Sequence, residues 1–312
     1  MKLQSTVSGR KSGKMGKRCL VFGTTGQVAQ ELIKQVAREP SKTQFIFVGR
    51  DRADLAQVDQ TAALIRELSP ALVMNTAAYT KVDLAESQRE MAMMINADAP
   101  AAMAAACRDL GIPLIHVSTD YVFDGTSPIP WREDDKVAPR SAYGASKGAG
   151  ERAVRTTLDR HIILRTAWVF SSTGNNFVKT MLRLGNERDE LRIVDDQYGG
   201  PTWAGSIAQA MLSMAEDILT NKQATWGTYH FCGAPRISWF GLAQAIFAEA
   251  RRPPPRLVPI STREYPTPAR RPANSMLDCT KIARDWGIEQ PDWRQGIITT
   301  LAELQSISTK EV

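Results

Sequence analysis

Short apolar runs alternate with amphipathic helical segments through the first 170 residues of the chain. Each run is short enough to be one strand, and the segments between them repeat apolar residues with helical period. This alternation predicts a parallel sheet with right-handed crossovers, and hence an α/β, doubly wound (Rossmann) fold. The predicted strands are residues 19–22, 45–49, 71–78, 113–119 and 161–170. Because ligands of such folds bind at the carboxyl ends of the strands, the residues that follow these runs form the candidate site.

A glycine-rich turn joins the first predicted strand to the first helix. Gly23 and Gly26 precede the helical repeat and Ala29 stands in the third position, which gives G-x-x-G-x-x-A rather than G-x-G-x-x-G. Backbone N–H groups and the helix dipole at such a turn attract a phosphate. On this motif alone, a glycine loop without a ligand is the alternative. The position of the turn at a strand's carboxyl end favours dinucleotide binding.

The residue after the second predicted strand indicates which dinucleotide binds. An arginine at this position accommodates a 2′-phosphate, whereas an acidic residue prefers a free 2′-hydroxyl. Here the strand is followed by Arg50, with Asp51 next to it. We therefore expect NADPH, and the nearby aspartate leaves NADH open.

A tyrosine and a lysine lie four residues apart in SAYGASKGAGE, residues 141–151. On a helix, Tyr143 and Lys147 would share one face. A nearby ammonium lowers the pKa of a phenol, so the pair would make a tuned proton donor. Thr119, at the end of the fourth strand, would add a hydroxyl that holds a carbonyl oxygen while a hydride arrives. The alternative is a solvated helix face.

Composition narrows the function further. The formal charge is +6, but the first 18 residues hold six basic residues and no acidic one. We predict that residues 1–17 are a disordered basic leader, and we expect no nucleic-acid partner because the remainder is near neutral. The four cysteines are widely spaced, without a C-x-x-C, as expected in a reducing cytoplasm. No apolar stretch reaches the roughly 18 residues of a membrane span, so no membrane partner is expected.

The pattern changes after residue 170, which divides the chain into a dinucleotide-binding domain at 18–170 and a smaller α/β domain at 171–312. We expect the second domain mainly to bind substrate, with some elements returning to the first. Its prolines favour extended loops, and segments 206–219 and 239–252 have the pattern of amphipathic helices. Arg271 lies in a proline-rich loop and suits a phosphate, because its guanidinium donates in a fork.

Eight ordered segments carry a resemblance to a known family. They are NTAAYTKVDLAE, HVSTDYVFDGT, IPWREDD, YGASKGAGE, LRTAWVF, GNNFVKTMLRL, DQYGGPTWA and YPTPARRPANSML. Together they resemble the dTDP-4-dehydrorhamnose reductases, in the extended branch of the short-chain dehydrogenase/reductase superfamily. The resemblance implies reduction of the 4-keto group of dTDP-4-dehydro-L-rhamnose by NAD(P)H, which gives dTDP-L-rhamnose for surface polysaccharides such as lipopolysaccharide.

The resemblance also implies roles for individual residues. Tyr143 would protonate the keto oxygen, and Thr119 would orient the substrate oxygen. Lys147 would lower the pKa of Tyr143 and bind the nicotinamide ribose. The other implied cofactor contacts are Gly23, Gly26, Gln27, Val28, Asp54, Leu55, Ala78, Tyr79 and Thr80. The implied substrate contacts, besides Thr119, are Asp120, Trp168, Asn176 and Arg271.

The chain departs from the family pattern at two places. Ser141 and Ala142 stand before the tyrosine, where asparagine and valine are common. Some members hold magnesium between subunits with several glutamates. Glu31 matches one of them, but residues 205–207 offer no carboxylate where another is expected. We therefore expect no metal site, and a homodimer is left open.

Two other functions remain open from the sequence. One is a sugar-nucleotide epimerase or dehydratase of the same superfamily. A dehydratase, however, usually has an Asp-Glu pair beside the threonine, and here Asp120 is followed by Tyr121. The other is a binding protein similar to the regulatory subunit of methionine adenosyltransferase. The complete set of Thr119, Tyr143 and Lys147 argues against pure binding.

Overall fold

The structure is a computed structural model that describes residues 16–39, 42–220, 224–250 and 254–308. Most of the predicted basic leader, residues 1–15, lies outside these ranges. Strands and helices alternate through the first half, as predicted. The elements are β1 (Arg18–Phe22), α1 (Gln27–Arg38), β2 (Gln44–Val48), α2 (Val58–Leu68), β3 (Leu72–Asn75), α3 (Arg89–Met93), α4 (Ala99–Leu110), β4 (Leu114–Thr119), α5 (Ala142–Thr157) and β5 (His161–Thr166).

The second half consists of shorter strands between helices. The elements are β6 (Val169–Phe170), α6 (Phe177–Glu187), β7 (Glu190–Val194), β8 (Tyr198–Gly199), β9 (Thr202–Trp203), α7 (Ala204–Leu219), β10 (Gly227–His230), β11 (Ile237–Ser238), α8 (Trp239–Glu249), β12 (Arg256–Ile260), α9 (Thr280–Trp286) and α10 (Trp293–Ser308).

A parallel six-stranded sheet in the order β10-β5-β4-β3-β1-β2 forms the centre of the molecule. Its neighbouring strands are all parallel. The chain runs from β1 outward to β2 and then returns to place β3 on the other side of β1. This reversal opens a crevice at the carboxyl ends of β1 and β3, where ligands of doubly wound sheets bind. The predicted fold class is confirmed.

Both faces of the sheet are covered, which explains why its strands are continuous apolar runs. Successive side chains of a strand point to opposite faces. In β1, Cys19 and Val21 join the apolar cluster beneath α1 and α7, while Leu20 and Phe22 join the cluster beneath α2, α4 and α5. All four side chains are fully buried.

The long helix predicted over residues 91–111 is interrupted by a π turn. The turn spans Met94–Asp98, and α4 then begins with Pro100 in its first turn. Proline has no N–H and its ring crowds the carbonyl four residues earlier, so a regular α-helix cannot continue through it. The predicted interruption therefore falls just before the proline rather than at it.

The second half has no large sheet of its own in the described residues. Its strands form two-stranded ladders, β6 with β9, β7 with β12 and β8 with β11. A third apolar cluster fills the space between α6, α8 and α10. Two elements return to the first half, since β10 completes the edge of the main sheet and α7 packs on α1. In the described ranges, no helix is long and apolar enough to cross a membrane.

Candidate active site

The glycine turn between β1 and α1 has the backbone geometry that an anion site needs. Gly23 has φ +119°, and a Cβ there would lie 2.5 Å from Thr76 Oγ1, so the position requires glycine. Gly26 precedes α1, and no side chain caps the first turn of that helix. The free N–H groups and the positive end of the helix dipole therefore face the crevice. These are the features that fit a dinucleotide pyrophosphate.

Three of the other predicted cofactor residues, Arg50, Asp54 and Leu55, follow β2 in the chain. Arg50 is exposed in the turn that follows β2. Asp54 Oδ1 accepts from the N–H of Ala56 at 3.0 Å, and Leu55 is buried in the core. Val28 is also buried, so only its backbone can serve a ligand at the turn.

The loop after β3 is held by one asparagine from the π turn. Asn96 Oδ1 accepts from the N–H of Tyr79 at 2.8 Å, and Asn96 Nδ2 donates to the Tyr79 carbonyl at 3.0 Å. The same Nδ2 donates to Ser146 Oγ on α5 at 3.0 Å. Asn96 thus ties the predicted cofactor loop, which includes Ala78 and Thr80, to the helix that carries Tyr143.

The helix α5 begins one residue before the predicted catalytic tyrosine, Tyr143. Ser141 Oγ accepts from the N–H of Gly144 at 3.1 Å and so caps the helix. Glu86 Oε1 accepts from the N–H of Ala142 at 2.8 Å. A Cβ on Gly144 would lie 2.2 Å from the Tyr121 carbonyl, so glycine lets α5 approach the turn at Asp120–Val122. Ser141, although it departs from the family pattern, therefore still supplies a capping side chain.

The structure brings Thr119, Tyr143 and Lys147 together. Thr119 ends β4, and its side chain lies close enough to Tyr143 to lower the pKa of the phenol. Both Tyr143 and Lys147 are buried, and Lys147 Nζ donates to the Val117 carbonyl at 2.8 Å. Tyr121 packs edge-on against the Tyr143 ring, with ring centroids 5.5 Å apart. The solvated helix face, the alternative that the spacing left open, is excluded.

Burial shifts both side chains of the pair towards their neutral forms. It raises the pKa of the Tyr143 phenol above its ordinary value, and the side chain of Thr119 opposes this. It lowers the pKa of Lys147 to about 8, against the charge of Glu151. The expectation that Lys147 would lower the tyrosine pKa is thus corrected, because burial raises that pKa and Thr119, rather than Lys147, opposes the rise. At neutral pH Tyr143 keeps its proton, as a proton donor must.

Asp120 offers a buried acceptor beside Thr119. Its Oδ1 accepts from Thr119 Oγ1 at 3.0 Å, while Oδ2 is buried with no hydrogen-bond partner among the described residues. Burial raises the pKa of Asp120 to about 6. An unpaired buried carboxylate oxygen is costly, and a hydroxyl of a bound sugar would satisfy it.

The predicted substrate residue Trp168 stacks on a second tryptophan. The rings of Trp168 and Trp239 are nearly parallel, at 7°, with centroids 3.4 Å apart. Trp168 has φ +48°, a backbone conformation that bulky residues rarely adopt. The sequence predicted an amphipathic helix at residues 239–252 but gave no signal that assigned Trp239 to the site. Trp239 lies in the first turn of α8, next to the capping Ser238.

Arg271 contacts the first half of the chain. Its Nη2 donates to Asp83 Oδ2 at 2.6 Å, and the N–H of Ala269 donates to Asp83 Oδ1 at 3.1 Å. The other nitrogen, Nη1, is buried with no partner among the described residues. Asp83 was not singled out from the sequence, although it lies in one of the quoted segments. Arg271 is thus fixed in place with one donor group unused.

Asn176 has a structural part in addition to the predicted one. Its Oδ1 caps α6 by accepting from the N–H of Lys179 at 3.1 Å, and its Nδ2 donates to Gln27 Oε1 at 2.9 Å. Gln27 is itself a predicted residue of the pyrophosphate turn. The two predicted contacts, one for each ligand, therefore bind each other directly.

The carboxylate of Glu31 is already paired with a cation. Lys34 Nζ lies 2.7 Å from Glu31 Oε1 and 2.8 Å from Glu303 Oε2. Over the described ranges, no group of three His, Cys, Asp or Glu side chains is arranged to hold a metal. Because the ammonium of Lys34 already bridges the two carboxylates, these residues do not fit the magnesium site that the resemblance implies for some members of the family.

Comparison with known proteins agrees with this geometry. The family model of the RmlD substrate binding domain matches residues 17–306. A dTDP-4-dehydrorhamnose reductase from Burkholderia thailandensis is 43% identical over 299 residues, which cover 93% of this chain and 99% of that one. Of the solved structures, a dTDP-4-dehydrorhamnose reductase from Clostridium acetobutylicum is 35% identical with a TM-score of 0.86, covering 92% and 99% of the two chains.

A second solved structure, from Bacillus anthracis, is a dTDP-4-dehydrorhamnose reductase in complex with NADP. It is 34% identical, with a TM-score of 0.86, and covers 93% of this chain and 100% of that one. Similarity of this extent, together with the resemblance of the quoted segments, settles the family. The chain belongs to the dTDP-4-dehydrorhamnose reductases.

Proposed function

We propose that the protein reduces the 4-keto group of dTDP-4-dehydro-L-rhamnose with NADPH and forms dTDP-L-rhamnose. The observation that carries the proposal is the buried set of Thr119, Tyr143 and Lys147 at the carboxyl end of β4, beside the crevice of a dinucleotide-binding sheet. Membership of the family, and the NADP complex of the Bacillus anthracis relative, support the same reaction and cofactor.

NADPH, when bound, supplies the hydride that reduces the carbonyl carbon. Tyr143 gives its proton to the carbonyl oxygen, so that hydride and proton together make the new hydroxyl group. Thr119 holds that oxygen when its hydroxyl proton turns to it from Asp120 Oδ1. Lys147 stabilises the phenolate that remains on Tyr143, because a nearby ammonium favours it. The raised pKa of Tyr143 keeps the proton in place until the substrate accepts it.

The two parts of the chain would divide the ligands between them. We assign the dinucleotide mainly to residues 18–170 and the sugar nucleotide mainly to residues 171–312. The support is the glycine turn in the first part and, in the second part, Trp239 stacked on Trp168 and Arg271 paired with Asp83. The return of β10 and α7 to the main sheet holds the parts together.

The reaction is tested by mixing the protein with NADPH and the keto sugar nucleotide and following NADPH absorbance. Net consumption of NADPH with formation of dTDP-L-rhamnose supports the proposal. An epimerase or dehydratase would return its hydride and consume none, and a regulatory subunit would bind without turnover. No feature of the site favours either of these over the reductase.

Location and assembly belong to the same proposal. We place the protein in the cytoplasm, since its four cysteines are buried free thiols and Cys232 Sγ lies 4.0 Å from Cys279 Sγ without a bond. A homodimer stays a prediction. Sedimentation of the purified protein would measure the assembly.

A further inference from the structure

A buried histidine on β4 lies between Lys147, the proposed catalytic lysine, and the neighbouring strand β3. His116 is in the middle of β4, three residues before Thr119, and is 1% exposed. Its Nδ1 is 3.1 Å from Asn75 Nδ2 on β3, and its Nε2 is 3.3 Å from Lys147 Nζ on α5. The proposed mechanism gives His116 no part, and the sequence analysis did not single it out.

The hydrogen bonds of Asn75 determine which ring nitrogen of His116 carries the proton. Asn75 Oδ1 accepts from the N–H of Ala77 at 3.1 Å, so the amide nitrogen Nδ2 must face the ring. An amide nitrogen only donates, so His116 Nδ1 must accept. Burial lowers the pKa of His116 well below its usual value, and the charge of Lys147 lowers it further. The ring is therefore neutral, with its one proton on Nε2.

That proton points at Lys147. An ammonium has only donors, whereas an amine has a lone pair that can accept. The Nε2–H of His116 therefore opposes the ammonium form of Lys147 and favours the amine, while the bond from Nζ to the Val117 carbonyl suits either form.

The other charged and titratable groups around Lys147 do not cancel this effect. Glu151, one turn further along α5, favours the ammonium. Its carboxylate already accepts from Arg165 at 2.8 and 2.7 Å, from Ser118 at 2.7 Å and from Arg155 at 3.2 Å. Tyr143, the remaining titratable group, keeps its proton and carries no charge.

We propose that His116, held by Asn75 as the tautomer with its proton on Nε2, is a positioning residue that sets the proton affinity of Lys147. The inference rests on the proposed function, in which the ammonium of Lys147 stabilises the phenolate of Tyr143. Loss of that proton ends activity at high pH, so the pair of His116 and Asn75 determines where the alkaline limb of kcat/KM lies. His116 and Asn75 thus keep the pKa of Lys147 close to the working pH, so that the lysine is not permanently charged.

NMR of protein labelled with 15N-histidine measures the tautomer directly and needs no activity assay. The chain has three histidines. The two others serve as internal controls, because His230 Nδ1 faces the Trp131 carbonyl and His161 Nδ1 faces the Leu158 carbonyl. Both must carry their proton on Nδ1. We expect one signal from an Nε2–H tautomer, assigned to His116, and two from Nδ1–H tautomers. A third Nδ1–H signal would overturn the proposal.

The variant Asn75→Asp reverses the direction of the hydrogen bonds that run from residue 75 through His116 to Lys147. The side chain keeps almost the same shape. One carboxylate oxygen still accepts from Ala77, and the other now accepts from the ring, so the proton of His116 moves to Nδ1. Nε2 then accepts from the ammonium of Lys147. We expect the alkaline limb of kcat/KM to move up by about one pH unit, since one hydrogen bond to a charge is worth roughly that much.

The added charge of the aspartate also favours the ammonium, so its effect is measured separately. In a His116→Leu background, Asn75→Asp keeps the charge but has no ring to switch, and the shift should fall to less than half. His116→Leu by itself should raise the limb, because the opposing N–H is gone. A limb that does not move in Asn75→Asp, although NMR shows the switched tautomer, would contradict the proposal. Absence of turnover in the wild-type protein would contradict the proposed function instead.

Discussion

The two sides of the site are held in different ways. On the catalytic side, Thr119 ends a central strand, and Tyr143 and Lys147 lie in the first turns of a helix packed against that strand. On the predicted recognition side, Trp168 and Arg271 lie in connecting segments, where Trp168 stacks on Trp239 and Arg271 pairs with Asp83. The predicted reacting groups are therefore carried by a strand of the central sheet and a helix packed on it, while the predicted recognition groups are carried by loops.

Below the catalytic side lies a buried ion pair. Arg165 on β5 and Glu151 on α5 are almost fully buried, and Arg165 Nη2 is 2.7 Å from Glu151 Oε2. Ser118, next to Thr119, donates to the same carboxylate. These bonds join β4, β5 and α5 at the level of the catalytic residues. The recognition side has no equivalent among the described residues, which suits a surface that must accept a large substrate.

The change with the largest expected effect is Tyr143→Phe. It removes the proposed proton donor, and acid catalysis of this kind is worth about 10²–10⁴-fold. We expect kcat to fall by that factor, with NADPH affinity and the melting temperature nearly unchanged. Tyr121→Phe, which keeps the neighbouring ring, is the matched control. If Tyr143→Phe retained more than half of the wild-type kcat, Tyr143 would have no role as proton donor.

Glu151→Ala tests whether the catalytic side depends on the fold beneath it. The change leaves the buried Arg165 without its partner, which typically costs about 3–5 kcal/mol. We expect that loss in the free energy of unfolding, measured by denaturant titration. Glu187→Ala breaks an exposed pair with Arg183 and should cost less than about 1 kcal/mol. Similar losses in the two variants would contradict the special role of the buried pair.

Arg271→Ala tests the recognition side. Remote contacts with a substrate can orient its reacting centre, and a charged hydrogen bond is worth about tenfold or more. We expect kcat/KM for the dTDP-linked substrate to fall by that factor, with a higher KM, a lower kcat and unchanged NADPH binding. Arg270→Ala, at the exposed neighbouring position, is the control.

The proposed contact of Arg271 with the dTDP group also predicts how the substrate without that group behaves. The free 4-keto sugar, without dTDP, should be reduced very poorly even at high concentration. Kinetics with both substrates measure the difference. Equal kcat/KM for the free and the dTDP-linked sugar would show that recognition of the nucleotide does not contribute to catalysis.

Arg50→Asp has the smallest expected effect, because Arg50 is exposed and exposed charge contacts are worth about 1 kcal/mol or less. We expect the ratio of kcat/KM for NADPH to that for NADH to fall by about fivefold. Arg52→Asp makes the same change of charge two residues away and should shift the ratio less. If the two variants behave alike, overall charge rather than the 2′-phosphate contact decides the preference.

Sequence patterns predicted the fold because five of the six strands of the sheet, and the helices between them, are encoded locally, whereas the edge strand β10 was not predicted. The glycine turn and the Tyr143–Lys147 spacing are also local signals, so they could be found without a structure. The stack of Trp168 on Trp239 and the pairing of Arg271 with Asp83 join residues far apart in the chain, and no local pattern encodes them. His116 was missed because a single histidine in an apolar run resembles any other core residue.

The π turn at Met94–Asp98 makes the site sensitive to the number of residues in the chain. A π turn holds one residue more than the α-helical turn it replaces. Deletion of one residue there would shorten the turn and rotate the preceding segment by about 100° relative to α4. Asn96 would then leave both Tyr79 and Ser146. The hydrogen bonds that hold the loop after β3 therefore depend on the number of residues in this helix as well as on the identity of Asn96.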